Sequence, residues 1–154
     1  MNPSSNQGTA GPGAGGAVPQ PDDARLRRLF ESMRRIVVVG LSPKPERASH
    51  GIARFLIGQG FDVVGVNPAH DEILGVPVYR SLADVPGDID VVDVFRRSDE
   101  VEPIVEQAVQ RRVGFIWLQE GVVNDAAARA AHAAGIEIIM DRCIYQEWLR
   151  LMNA

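Results

Sequence analysis

The segment Arg35-Ile36-Val37-Val38-Val39, closed by Gly40, constrains the fold most, because its β-branched side chains leave no polar face to turn toward water. A strand of this kind must be covered on both sides, as in the centre of a parallel sheet. The pattern recurs. Residues 49–59 read as a helix stopped by Gly60, and residues 61–66 as a second buried strand ending at Asn67-Pro68. A short extended piece follows at 76–79. Residues 89–95 form a further strand, and Ile104, Val105, Ala108 and Val109 mark the buried face of the next helix, with Pro103 tolerated near its first turn. Residues 115–118 are the next strand. Asn124 caps an alanine-rich helix terminated by Gly135, residues 136–140 supply the last strand, and residues 144–151 a closing helix. Strands alternating with helices predict an α/β chain: a Rossmann-like, doubly wound, parallel five-stranded sheet in three αβα layers with right-handed crossovers.

The ends of the chain differ in character. Residues 1–21 are dominated by Gly, Pro, Ala, Ser, Asn and Gln, which offer little to bury against the entropy of ordering, and they are expected to form a disordered tail. From Asp22 onward Leu26, Leu29, Phe30 and Met33 recur at helical spacing, opposite Arg25, Arg27, Arg28 and Glu31. One domain over 22–154 is the expectation, since 154 residues with 45% hydrophobic content fit a single core.

Composition narrows the function classes. A formal net charge of -4 argues against a surface built throughout for nucleic acid or an anionic membrane, so an anionic small molecule must be met locally. No apolar run approaches the roughly 18 residues of a membrane span, and no secretory signal pattern opens the sequence. A single cysteine, Cys143, excludes an internal disulfide and a cysteine-based zinc site, which points to a reducing, cytoplasmic setting. His50, His70 and His132 have no second metal ligand or nucleophile arranged around them and are expected to be structural or exposed.

In doubly wound sheets, ligands bind beyond the carboxyl ends of the strands, so the loops after Val39, Val66, Val94 and Leu118 are the candidate site. The first loop, Gly40 to Gly51, enters a helix whose free amides and positive dipole end attract phosphate, with Ser42, Lys44 and Arg47 beside it. Gly40 permits a sharp turn, and Gly51 is expected to allow close helix packing or approach to a phosphate. The loop is neither G-x-G-x-x-G nor a Walker sequence. The second strand ends in Asn67-Pro68, where a typical NAD site has a carboxylate for the ribose hydroxyls; asparagine can still bond an adenine or ribose edge.

The third loop, Phe95-Arg96-Arg97-Ser98, offers an apolar wall and two guanidinium groups suited to phosphate, although both arginines are not expected to turn inward. In the fourth, Leu118-Gln119-Glu120-Gly121, the carboxylate is expected to orient backbone amides or to contact a ligand hydroxyl or amide. Asp141 and Arg142 are expected to pair at the last strand's end.

These motifs in this order, from Val39-Gly40-Leu41-Ser42-Pro43-Lys44-Pro45 through Val66-Asn67-Pro68, Asp93-Val94-Phe95-Arg96-Arg97 and Trp117-Leu118-Gln119-Glu120-Gly121 to Met140-Asp141-Arg142-Cys143, resemble the stand-alone CoA-binding domain family. The similarity spans roughly residues 22–151 and extends to the CoA-binding domain of the succinyl-CoA synthetase α subunit. The resemblance implies coenzyme A or an acyl-CoA seated across the first three loops, with Ser42 and Lys44 near its phosphates. It implies Asn67-Pro68 and Phe95-Arg96 along the nucleotide and Gly121 toward the pantetheine.

Ligase activity is not expected, because the synthetase needs a second domain carrying a phosphorylated histidine. The reading is therefore a non-catalytic carrier, sensor or regulatory module, with protein partners and a homodimer left open. An NAD(P)-dependent enzyme on the same fold and an interaction protein with a vestigial pocket are the rivals. A mixed disulfide between Cys143 and a thiol ligand is a further, lesser expectation.

Overall fold

The apolar runs assemble as the sequence predicts, into one continuous sheet. A computed structural model describes residues 17–152. Along the chain these form α1 (Asp23–Ser32), β1 (Arg35–Val39), α2 (Ala48–Gly58), β2 (Asp62–Val66), β3 (Glu72–Ile73), β4 (Val76–Tyr79), β5 (Val91–Val94), α3 (Val101–Arg111), β6 (Phe115–Leu118), α4 (Asp125–Ala133), β7 (Glu137–Ile139) and α5 (Ile144–Met152). The strand order is β3-β4-β2-β1-β5-β6-β7. Every pairing is parallel except β3 with β4.

The sheet has seven strands rather than five. The short piece at 76–79 joins β2 as a parallel strand, and Glu72–Ile73 pairs antiparallel with it, closing the edge. Two residues are too few to show any periodicity, so β3 is invisible to pattern reading.

Two apolar layers cover the sheet. On one side α1, α2 and α5 bring Leu26, Phe30, Ile52, Leu56 and Ile144 against Ile36, Val38, Val91 and Trp117. On the other, α3 and α4 bring Val101, Val105, Ala128 and Ala131 against Val37, Val39, Val92 and Val94. Phe30 stacks on Trp117 with ring centroids 5.6 Å apart, and Trp148 meets Phe30 edge-on at 5.4 Å, tying α1 and α5 to the sheet.

The helix ends follow the expected chemistry. Asp22 accepts the Arg25 amide to cap α1, and Asn124 accepts the Ala127 amide to cap α4. Gly60 and Gly135 stand at φ values of 92° and 80°, where a side chain would be strained. The tail expected over residues 1–21 lies mostly outside the described residues. Its last part is held: Gln20 donates to the Ile138 carbonyl at 3.1 Å and accepts the Met140 amide at 3.1 Å, beside β7.

Candidate functional site

The chain crosses from one side of β1 to the other after β4, so β1 and β5 are neighbours whose helices leave in opposite directions. Their carboxyl ends form the switch point at which ligands of such sheets bind. Gly40 leaves β1 at φ 89°, and its amide donates to the Val66 carbonyl at 2.9 Å. A Cβ there would lie 2.9 Å from the Phe95 carbonyl oxygen and 3.1 Å from Arg96 Cδ. Glycine is therefore required both for the turn and for the close approach of the first and third loops.

Gly51 plays no comparable part, since a Cβ there would meet nothing within 4 Å. The close packing expected of it is absent because its side of α2 faces outward.

The first loop is organised from inside α2. Ser49 Oγ accepts the Ser42 amide at 3.0 Å, His50 Nδ1 lies 2.9 Å from the Ser42 carbonyl, and Ser42 Oγ accepts the Lys44 amide at 3.1 Å. Both Ser49 and His50 are buried. His50 is thus structural, as expected. Arg47 stands at the N-cap of α2 and supplies no side-chain hydrogen bond, in contrast to the capped α1 and α4. The first amides of α2 are left without a side-chain acceptor, next to exposed Lys44 and Arg47, which among the described residues form no ion pair.

The other loops close on this one. Asn67 Nδ2 donates to the Leu41 carbonyl at 2.8 Å while its Oδ1 accepts the Ala69 amide at 2.7 Å, so Asn67 joins the first two loops as well as shaping its own turn. Pro68 is exposed, and its carbonyl accepts a bond from Arg80. Ser98 Oγ accepts the Val123 amide at 2.9 Å, and Asn124 Nδ2 donates to the Ser98 carbonyl at 3.0 Å, which joins the third loop to the fourth.

Gly121 takes φ 85°, and its amide donates to Asp141 Oδ1 at 2.7 Å. The carboxylate holding that loop amide is therefore Asp141, while Glu120 is exposed. Asp141 does not pair with Arg142. Arg142 instead lies 3.6 Å from Glu147, and its carbonyl accepts Trp117 Nε1 at 2.7 Å.

The two arginines of the third loop are internally compensated. Arg96 Nε reaches Glu100 at 3.0 Å, and Arg97 reaches both Asp99 at 3.3 Å and Glu100 at 3.2 Å. The Arg96 hydrogen bond holds the Glu100 carboxyl below its ordinary range. The acidic residues of the turn Ser98–Glu100 are the cause, and nothing in a reading of isolated cations foretells it. Phe95 is half-buried, against the layer of α1, α2 and α5.

Sequence reasoning gave no role to Asp93, although a carboxylate amid Val91, Val92 and Val94 is itself an anomaly. It is fully buried, neither of its oxygens has a hydrogen-bond partner, and burial pushes its pKa well above 3.8. A separate groove between α3 and α4 is bordered by Glu102, Glu106, Val109 and Ala130. Its two carboxylates would repel a phosphorylated ligand. No described helix is long and apolar enough to cross a membrane.

Comparison with known proteins agrees with this geometry. The uncharacterized protein YneT of Bacillus subtilis is 37% identical over 124 residues, covering 80% of this chain and 92% of its own. A hypothetical protein from Pyrococcus horikoshii superposes with a TM-score of 0.84 at 34% identity, covering 89% of this chain and 99% of its own. The dinucleotide-forming acetyl-coenzyme A synthetase 1 of Ca. Korarchaeum cryptofilum matches with a TM-score of 0.65 at 31% identity; the match covers 73% of this chain but only 27% of that enzyme. The CoA binding domain model matches residues 34–148, most of the chain, and the chain belongs to the CoA-binding domain family.

Proposed function

We propose that the chain binds coenzyme A or an acyl-CoA at the carboxyl edge of the sheet and acts as a non-catalytic carrier, sensor or regulatory module. The observation that carries this reading is the uncapped N-terminus of α2 flanked by exposed Lys44 and Arg47. First-turn amides without a side-chain cap, beside two exposed cations, suit a phosphate or pyrophosphate. Asn67 and Phe95 line the adjoining rim, where an adenine and its ribose would lie. Gly40 keeps the backbone low enough for the ligand to cross the switch point.

Coenzyme A would supply a thiol for acyl transfer, and the residues of this chain would bind and orient it. The non-catalytic reading draws support from the rim itself: Ser42, Ser49, Asn67, Ser98 and Asp141 are engaged with backbone groups and hold loops in place. Nucleophile, base and orienter do not stand together there. The cytoplasmic assignment rests on the lone half-buried thiol of Cys143.

Titration calorimetry with coenzyme A, acetyl-CoA, NAD, NADP and ATP tests the proposal. Coenzyme A or acetyl-CoA is expected to bind most tightly. Tight NADP binding without a coenzyme A signal would overturn it in favour of the dinucleotide enzyme, and no binding of any of the five would favour a vestigial pocket.

A further inference from the structure

Among the described residues, four polar or charged side chains are buried: Ser49, His50, Asp93 and Gln119. All four belong to the same side of the sheet and to its ligand-binding end. Ser49 and His50 lie in the first turn of α2. Asp93 aligns with Val38 and Trp117, both of which face the layer of α1, α2 and α5. Gln119 follows Trp117 by two residues, and its Oε1 accepts the Ile144 amide at the start of α5 at 3.1 Å. The layer of α3 and α4 buries hydrocarbon alone.

Ser49, His50 and Gln119 each have a protein partner, whereas Asp93 has none. An unsatisfied buried carboxyl weakens a fold, and valine would fill this strand position without that cost. Such a group marks a position whose partner arrives from outside.

We propose that Asp93 forms the floor of a subsite entered between the N-terminal ends of α2 and α5, where its carboxyl hydrogen-bonds an amide of the ligand's arm. The inference rests on the coenzyme A reading, because an amide-bearing, thiol-ended arm is what separates that ligand from a plain nucleotide. Burial favours the protonated carboxyl over the charged one, and in that form the group offers both an O–H donor and a carbonyl acceptor. A secondary amide offers the complementary pair, and the apolar surroundings of Val38 and Trp117 strengthen either bond. Farther along α2, Phe55 meets Tyr145 of α5 edge-on with ring centroids 4.6 Å apart, and Tyr145 is 37% exposed. Half-buried Cys143 flanks the same entrance.

Calorimetry on the full chain with coenzyme A and with adenosine 3′,5′-bisphosphate, which lacks the arm, separates the possibilities. Asp93→Val is expected to weaken coenzyme A about 10-fold or more while moving the bisphosphate by less than about 2-fold. Asp93→Asn, which keeps a donor and an acceptor, is expected to retain most of the affinity and guards against a valine variant that folds poorly. If Asp93→Val has the wild-type circular dichroism spectrum and binds coenzyme A as the wild type does, or loses both ligands equally, the subsite is refuted. Wild-type protein that binds neither ligand removes the coenzyme A reading itself, a different result from either of those.

Discussion

Replacing Asp93 with valine is expected to stabilise the protein by an amount that grows with pH. Both oxygens of the wild-type carboxyl are buried without a partner, and the valine side chain suits a strand between Val38 and Trp117. Removing the unsatisfied group alone is worth about 1–3 kcal/mol. The pH-dependent part follows from linkage. The folded-state pKa is raised from 3.8 by burial, so the contribution is intact below 3.8, where both states hold the proton. As pH rises above that value the unfolded chain releases a proton that the folded chain keeps, and stability falls by about 1.4 kcal/mol per pH unit until the folded group also ionises. Valine abolishes this slope. Urea unfolding of both proteins at pH about 4.5, 5.5 and 6.5 therefore should show the gap between them widening as pH rises. Parallel stability curves would refute the assignment of a buried, proton-holding acid.

Gly40→Ala is expected to cost about 1–3 kcal/mol, from its φ of 89° and the 2.9 Å approach to the Phe95 carbonyl, and an unchanged melting temperature would contradict this. Asn124→Ala should lose about 1 kcal/mol through the cap of α4, read by denaturant midpoint. Lys44→Ala should weaken coenzyme A by about 1–3 kcal/mol in calorimetry, and Arg96→Ala by less, because Arg96 must first leave Glu100. Glu100→Gln, which removes the carboxylate shared by Arg96 and Arg97, should tighten binding of the same ligand, and weaker binding would show that the arginines face elsewhere.

The central strands were legible because each is a predominantly apolar run, and the helices because Asn124, Gly60 and Gly135 punctuate them. Boundaries moved by a residue or two. What stayed hidden depends on the third dimension. Glu72–Ile73 is a strand only because Val76–Tyr79 lies beside it. Asn67 was singled out for a ligand edge, yet its two side-chain bonds in the structure are to Leu41 and Ala69, and no local pattern reveals a partner 26 residues away. Arg96 and Arg97 read as free cations until the turn that follows folds Asp99 and Glu100 back onto them. Asp93 was readable in principle, since a carboxylate inside a valine run calls for an explanation at once.

The loops of the rim are joined almost wholly by uncharged groups, Asn67 to Leu41, Ser49 to Ser42, and Ser98 to Val123. Bonds of this kind are indifferent to ionic strength, whereas attraction between exposed cations and a polyanion is screened over about 10 Å at 0.1 M salt. Added salt is therefore expected to leave the loop framework unaltered while weakening the pull of Lys44 and Arg47 on an anionic ligand.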